Sequence, residues 1–265
     1  MKLPLLGLGT WQLQGEECTK AVKRALELGY RHIDTAHAYE NHQAVRKGIE
    51  GFDRSQLFLT SKIAVDLQVD PKNVEHSVEK ACDLALKELG TDYLDLYLIH
   101  WPYRTYPLAA TFHTMQKLED KGKIKRAGVS NFTIHHLEDF RNQSLTPSAN
   151  QVEFHPYLYQ KELLEYCRKH HIELIAYRPF GKGELLKEPL FEKIGLAYKK
   201  SGAQIILRWL IQKRIPVVPK AANDKHLRAN LDVFDFSLTD DDMQQLDALN
   251  QNQRFCMPDE PEFNY

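Results

Sequence analysis

The 265-residue sequence lacks several features that would assign it to a specialised class of protein. Its four cysteines, Cys18, Cys82, Cys167 and Cys256, form no CxxC pair and are expected to be reduced packing residues. The 35 lysines and arginines nearly balance 36 acids, which argues against a nucleic acid as the main partner. No apolar run approaches the roughly 20 residues of a membrane helix, and the N-terminus does not resemble a signal peptide. These absences predict a cytoplasmic protein that does not enter a membrane.

Strand and helix patterns alternate along the whole chain. Eight segments have the composition of buried strands, namely 5–11, 31–36, 57–62, 94–100, 126–131, 149–153, 173–177 and 215–220. Each is followed by an amphipathic helical pattern, the longest over 71–89 with Asp70 as its expected N-cap. Strict alternation implies right-handed crossovers and a parallel sheet. Eight units without a linker predict an α/β fold, a (β/α)8 TIM barrel, as one domain over residues 1–265.

Two further features refine this prediction. An open doubly wound sheet is the alternative fold, but no fingerprint glycine loop follows the first strand, which disfavours it. Residues 251–265 contain two prolines and no periodicity, so we expect a C-terminal tail that folds over one end of the barrel.

Four ionisable residues, Asp34, Tyr39, Lys62 and His100, stand at or just beyond the ends of successive predicted strands. The carboxyl ends of all strands meet on one face of a parallel barrel, so these residues are expected to converge. A lysine ammonium beside a tyrosine hydroxyl favours the phenolate and lowers the tyrosine pKa, and an aspartate keeps that lysine charged. A histidine beside the same oxygen can orient a carbonyl. Singly, each residue has an ordinary structural explanation, but together they predict a general-acid site for carbonyl reduction.

Motifs between Leu5 and Phe255 resemble the aldo-keto reductase superfamily in order and spacing. They are GLGTW, HIDTAHAYENHQAV, LTSK, LDLYLIHWP, GVSNF, NQVEFHPY, AYRPF and LRWLIQKRIPVVPK. The resemblance implies reversible, NAD(P)H-dependent reduction of aldehydes and ketones, with Tyr39 as proton donor, Lys62 and Asp34 tuning it, and His100 orienting the carbonyl. It implies NADP as the cofactor, with NAD as an alternative, bound without a Rossmann domain.

The resemblance also implies contacts at individual positions. The predicted cofactor-binding residues are Thr10, Trp11, Asp34, Ser130, Asn131, Gln151, Tyr177, Arg178, Pro179, Phe180, Lys220, Asn223, His226 and Asn230. The predicted substrate residues are Trp11, His100 and Trp101. Ser130, Asn131 and Gln151 match the residues that hold the nicotinamide carboxamide, and amide side chains supply both donors and acceptors. Tyr177 matches the aromatic residue on which the nicotinamide stacks.

Several positions depart from the family pattern. Arg178 replaces a serine, and its expected partner is either the pyrophosphate or a neighbouring carboxylate. Ala221, His226 and Ala229 replace the serine, arginine and glutamate expected near the adenosine 2′-phosphate. These replacements predict a weakened preference for NADPH over NADH. We expect Lys220 to preserve part of that preference. We also expect the barrel to lack the N-terminal hairpin that usually closes its floor.

Other functions stay open beside this one. A non-catalytic relative would use the barrel as a structural or cofactor-sensing protein, and an aldolase would use Lys62 as a Schiff-base nucleophile. For a reductase, the short loop after His100 and the modest tail predict an open pocket for small aldehydes, dicarbonyls or keto-sugars. We expect a monomer.

Two predictions concern the remaining histidines. His37 and His42 lack a third ligand at suitable spacing, so no metal site is predicted. The adjacent pairs 135–136 and 170–171 fall in helical stretches and are expected at the solvent surface.

Overall fold

The computed structural model describes residues 2–257 and 259–265. Its centre is one sheet of eight parallel strands that follow one another in chain order. The strands are β1 Leu8–Gly9, β2 His32–Asp34, β3 Phe58–Ile63, β4 Leu96–Ile99, β5 Ala127–Ser130, β6 Ala149–Glu153, β7 Glu173–Tyr177 and β8 Val217–Val218. Backbone hydrogen bonds from Gly7 to Val217 and from Gly9 to Pro219 join the last strand to the first. The predicted (β/α)8 barrel is therefore confirmed.

Helices surround this barrel. The α-helices are α1 Gly15–Leu28, α2 His42–Ile49, α3 Val65–Gln68, α4 Val74–Leu89, α5 Leu108–Asp120, α6 Ile134–Asn142, α7 Lys161–Lys169, α8 Pro189–Tyr198, α9 Gly202–Gln212, α10 Asp224–Leu231 and α11 Asp240–Asp247. Short 3-10 segments cover His37–Tyr39, Arg54–Gln56, Gly181–Lys187 and Pro261–Asn264. Among the described residues, no helix combines the length and the apolar character needed to cross a bilayer.

Apolar side chains fill both faces of the sheet. The larger core lies between strands and helices, and the four cysteines are buried and unpaired, as predicted. A smaller cluster fills the barrel interior with Leu3, Phe58, Leu96, Leu98, Ala149, Ile175 and Val218. Side chains alternate in direction along a strand, so Lys62 shares the inward face of Phe58. Residues 2–7 form no hairpin, and Leu3 instead packs into the interior cluster.

Several predicted element boundaries are wrong, among them the strand expected over 5–11, of which only Leu8–Gly9 forms β1. Two others have a local explanation. The helix expected from residue 71 begins at Val74, and Asn73, not Asp70, occupies its N-cap. The Asp70 carboxylate instead accepts a hydrogen bond from the backbone N–H of Lys72 at 2.9 Å, which stabilises a turn that competes with the helix. The strand expected over 215–220 is reduced to β8, because Pro216 and Pro219 cannot donate to a sheet ladder.

The tail lies over the face of the barrel where the strands end, as predicted. At the end of β6, the buried Glu153 carboxylate accepts the backbone N–H groups of Phe255 and Cys256, each at 2.9 Å. Near the C-terminus, the Glu262 carboxylate accepts from Nε of Arg104 at 2.6 Å. The segment is therefore attached to the barrel both near its start and near its end.

The expected exposure of one histidine pair is wrong because of this tail. His136 is only 2% exposed, and its Nε2 lies 3.1 Å from a Glu262 carboxylate oxygen. His135 remains exposed. A helical pattern alone could not show this burial, since the covering residue comes from a segment more than a hundred residues away in sequence.

Candidate active site

The four residues predicted to be catalytic do come together on this face. The ammonium of Lys62 donates to Asp34 Oδ1 at 2.6 Å, to the carbonyl of Thr35 at 2.9 Å and to the hydroxyl of Tyr39 at 3.3 Å. Asp34 ends β2 and Lys62 lies near the end of β3, and the two strands are neighbours in the sheet. Lys62 is 1% exposed and Asp34 3% exposed. The pair is thus a buried salt bridge whose lysine also contacts the phenol.

The protonation states of this group follow from burial and charge. Burial alone would lower the pKa of Lys62, but the Asp34 carboxylate and Tyr39 outweigh it and the pKa is raised. Burial raises the pKa of Tyr39, although the Lys62 charge acts in the opposite direction. The lowering by Lys62 thus has the predicted sign but does not dominate. Tyr39 is a neutral phenol beside an ammonium, which is the arrangement a proton donor needs.

His100 directly follows β4 and faces Tyr39. Their ring centroids are 5.6 Å apart in an edge-to-face arrangement. Burial, followed by the Lys62 charge, lowers the pKa of His100 to about 3, so its imidazole is neutral near pH 7. No described residue forms a hydrogen bond with either ring nitrogen. A neutral ring with an available N–H can donate to a carbonyl oxygen.

Polar side chains at the ends of β1, β5 and β6 continue this network. Gln151 donates from Nε2 to the second Asp34 carboxylate oxygen at 2.6 Å, and Thr10 Oγ1 donates to the Asp34 carbonyl at 2.9 Å. Ser130 Oγ donates to the Gln151 carbonyl at 2.7 Å. No hydrogen bond from the described residues reaches Oε1 of Gln151. Among the described residues, the amide oxygen of Gln151 is therefore available to accept a hydrogen bond beside the Asp34–Lys62 pair.

Asn131 connects the network to β4 and β7. It has a left-handed backbone, with φ of 66°, and its Nδ2 donates to the His100 carbonyl at 2.9 Å. Its Oδ1 accepts from the hydroxyl of Tyr177 at 2.7 Å. Together with Ser130 and Gln151, it forms a set of hydroxyl and amide groups whose chemistry suits a carboxamide ligand. The residues present therefore fit the amide end of a nicotinamide.

Aromatic rings border the group on two sides. Trp11, which is 40% exposed, lies edge-on to Tyr39 with centroids 4.9 Å apart. Trp101 stacks on Tyr103 with ring centroids 6.3 Å apart, and its ring centroid lies 5.6 Å from that of Phe263 in the tail. Of the three predicted substrate residues, Trp11 and His100 pack against Tyr39, and Trp101 follows His100 in the chain. Tyr103 and Phe263 were not predicted to lie here.

Among the described residues, Arg178 pairs with no carboxylate, one of its two expected partners, and the expected pyrophosphate contact stays a prediction. Arg178 directly follows β7 with φ of 51°, and its Nη1 donates to the carbonyl of Phe255 at 3.2 Å. No described carboxylate lies within ion-pair distance of it. The neighbouring Pro179 is buried, and Phe180 packs against the core. Arg178 therefore connects this loop to the tail, a contact that a sequence pattern does not reveal.

The remaining predicted cofactor residues follow β8 in the chain, and Lys220 pairs through its backbone with Gly9. Lys220 is exposed, with Nζ 3.5 Å from the carbonyl of Gln12. Asn223 caps α10 by accepting the backbone N–H of His226 at 2.8 Å, and the His226 ring is exposed. Asn230 is buried at 5% exposure. Lys220 and His226 are thus accessible to a ligand, whereas Asn230 is largely covered.

Sequence reasoning missed one buried residue beside Tyr39. Asn41 is 2% exposed and bonds to Thr10, Leu13 and Thr35. Its position two residues after Tyr39 is a usable signal in the sequence. No group of three or more potential metal ligands occurs in the described part of the chain.

Comparisons with known proteins identify the family. The profile of the Aldo/keto reductase family matches residues 5–251. The oxidoreductase YtbE of Bacillus subtilis is 44% identical over 100% of this chain and 95% of its own length. The glyoxal reductase of the same species is 42% identical over 96% of this chain and 91% of its own length. A solved aldo/keto reductase from Brucella melitensis has a TM-score of 0.88 at 41% identity, covering 94% of each chain. This chain belongs to the aldo/keto reductase family.

Proposed function

We propose that this protein reduces aldehydes and ketones to alcohols, with a nicotinamide dinucleotide as hydride donor and Tyr39 as proton donor. Membership of the aldo/keto reductase family supports an enzyme that acts on carbonyl groups. The observation that carries the specific proposal is the contact between Lys62 Nζ and the Tyr39 hydroxyl at 3.3 Å, backed by the 2.6 Å bond from Lys62 to Asp34.

The roles follow from the charges at this contact. The neutral His100 ring donates a hydrogen bond to the carbonyl oxygen and fixes its direction. As negative charge develops on that oxygen, the Tyr39 hydroxyl gives up its proton to it. The Lys62 ammonium stabilises the phenolate that remains, because an opposite charge at this distance favours the ionised form. Asp34 holds Lys62 in place and keeps it charged.

Other side chains are proposed to hold the cofactor. When bound, the reduced nicotinamide supplies the hydride for the carbonyl carbon. Ser130, Asn131 and Gln151 offer the hydroxyl and amide groups for its carboxamide, and Tyr177 offers a ring face. Trp11 is proposed to line both the cofactor site and the substrate pocket.

The alternatives have less support. An aldolase needs an uncharged lysine amine, but the raised pKa of Lys62 and its three acceptors keep its proton in place. A structural or cofactor-sensing protein would not need a buried ion pair directed at a phenol, together with a neutral imidazole that has no partner among the described residues.

The proposed substrates are small aldehydes, dicarbonyls and keto-sugars. The aromatic borders Trp11 and Trp101 suit uncharged carbonyl compounds, and one relative at 42% identity is a glyoxal reductase. A panel of these carbonyls, with NADPH and NADH in turn, tests the function through the loss of reduced-nicotinamide absorbance. No turnover of any carbonyl with either cofactor bound would favour the non-catalytic alternative. We also propose a monomer, because one chain supplies every residue of the site.

Replacing His226 with arginine should tighten NADPH binding by roughly tenfold or more and leave NADH nearly unchanged. A guanidinium can bind the 2′-phosphate through two hydrogen bonds. Hydrogen bonds to charged groups contribute about 1.5 to 3 kcal/mol, here to the binding free energy. The position is exposed, and the His226 ring forms a hydrogen bond with Asn223 at 3.2 Å, so a longer side chain has room towards solvent. Fluorescence titration of the two cofactors against both proteins measures the change.

The matched control is His113→Arg, which adds the same charge at an exposed position on α5. It should alter neither affinity. If His226→Arg tightened both cofactors equally, or left NADPH unchanged, the proposed position of the 2′-phosphate beside α10 would be wrong.

A further inference from the structure

Asn41 uses its whole side-chain amide to join three segments of the site. Its Oδ1 accepts from Thr35 Oγ1 at 2.6 Å, and its Nδ2 donates to the carbonyls of Thr10 and Leu13, each at 2.9 Å. The residue stands at the N-cap of α2, yet its side chain makes no capping hydrogen bond. Capping therefore does not explain why a buried amide is placed here.

Two partners of Asn41 contact the catalytic group directly, and the third is next in sequence to a residue that does. The carbonyl of Thr35 accepts from Lys62 Nζ at 2.9 Å. Thr10 donates to the carbonyl of Asp34 through both Oγ1 at 2.9 Å and its backbone N–H at 3.0 Å. Leu13 precedes Gln14, whose Nε2 donates to the carbonyl of Tyr39 at 2.7 Å. One side chain is thus bonded to the surroundings of both members of the Lys62–Tyr39 contact.

We propose that Asn41 is a positioning residue that fixes the distance between the Tyr39 hydroxyl and the Lys62 ammonium. It touches no reacting atom and acts through Thr35, which holds Lys62, and through the loop after β1, which holds Tyr39. The expected effect of Asn41 on turnover rests on the proposed function. Its expected effect on the pKa of Tyr39 does not depend on that function.

The geometry explains why the 3-10 turn His37–Tyr39 needs such a restraint. Tyr39 is held by its backbone N–H to Ala36 at 3.1 Å and by the bond from Gln14, which is exposed. Its hydroxyl lies 3.3 Å from Lys62, at the long end of a hydrogen bond. A small shift of the turn would therefore break the contact on which proton donation depends.

Asn41→Ala should reduce kcat by roughly a hundredfold with little change in KM, since a misplacement of about 1 Å can cost that much. It should also raise the pKa of Tyr39, because Lys62 would stabilise the phenolate less. The pKa is measured by NMR titration of protein labelled with ¹³C at the tyrosine ring carbon that bears oxygen. The Tyr39 signal is the one missing from Tyr39→Phe.

The partner residue gives an independent test. Thr35→Val keeps the shape of the side chain but removes the hydroxyl that donates to Asn41, so it should raise the Tyr39 pKa in the same direction. Thr35→Ser keeps the hydroxyl and should restore the wild-type value. The Asn41→Ala, Thr35→Val double variant should shift the pKa by less than the sum of the single shifts, because the two residues share one bond.

Gln204→Ala is the matched control. Gln204 is also a buried amide, at 7% exposure, and bonds to Ser201 and Asp232 far from the catalytic group. Its loss should lower the melting temperature without moving kcat or the Tyr39 pKa.

A Tyr39 pKa unchanged in both Asn41→Ala and Thr35→Val would overturn the positioning role. Absence of carbonyl turnover in the wild type would instead count against the proposed function, and the titration would still decide the role of Asn41.

Discussion

Replacing Tyr39 with phenylalanine should lower kcat for carbonyl reduction by roughly 10²- to 10⁴-fold, the usual contribution of a general acid. The substitution removes only the hydroxyl, and Lys62 keeps its bonds to Asp34 and Thr35. We therefore expect the fold and cofactor binding to be unchanged. Steady-state kinetics with the best carbonyl of the panel, together with cofactor titration and thermal unfolding, measure these quantities.

Tyr97→Phe provides the matched control. Tyr97 is 1% exposed on β4, and its hydroxyl has no hydrogen-bond partner among the described residues. Removing that hydroxyl should leave both activity and stability close to wild type. If Tyr39→Phe also reduced aldehydes at nearly the wild-type rate, another group would have to supply the proton and the assignment of Tyr39 would be wrong.

Replacing Lys62 with methionine should displace the pH profile upward by about one to three units, the range over which one nearby opposite charge shifts a pKa. Lys62 favours the Tyr39 phenolate, so its removal raises the pKa of Tyr39 further. Reduction needs the protonated phenol, so its alkaline decline should move to higher pH. Alcohol oxidation needs the phenolate, so its rise should move in the same direction.

The single variant has a second expected effect. It leaves the Asp34 carboxylate buried without its cation, and breaking a buried pair in this way costs roughly 3–5 kcal/mol of stability. Adding Asp34→Asn should recover much of that loss, because a neutral amide replaces the uncompensated charge. The pH profile of the double variant should remain displaced upward, but by less, because losing the Asp34 carboxylate removes a charge that raises the Tyr39 pKa. An unmoved profile in a still-active Lys62→Met variant would mean that the lysine charge does not tune the acid.

The sequence predicted best what depends on local periodicity and on strand ends. Alternating strand and helix patterns identified the barrel, and the parallel arrangement brought Asp34, Lys62 and His100 to one face as expected. The start of α4 was wrong by a few residues, because the side chain of Asp70 bonds within a local turn. Such competition between a helix and a side-chain turn is decided by small energy differences that a pattern does not contain.

Contacts made by the tail could not be predicted in the same way. The burial of His136 and the bond from Arg178 to Phe255 both depend on where residues 251–265 dock. Asn41 is a different case, since it lies beside Tyr39 in sequence. Its importance arises from three backbone and side-chain partners that only the folded loops bring within reach.

The closure of the barrel has a consequence for how the chain is made. Backbone bonds from Gly7 to Val217 and from Gly9 to Pro219 complete the sheet, so β1 has no partner on one side until β8 has been translated. An unpaired strand edge is a template for aggregation, and contacts this distant in sequence form slowly. A fragment that ends before residue 215 would contain Asp34, Tyr39, Lys62 and His100, yet we expect it to aggregate.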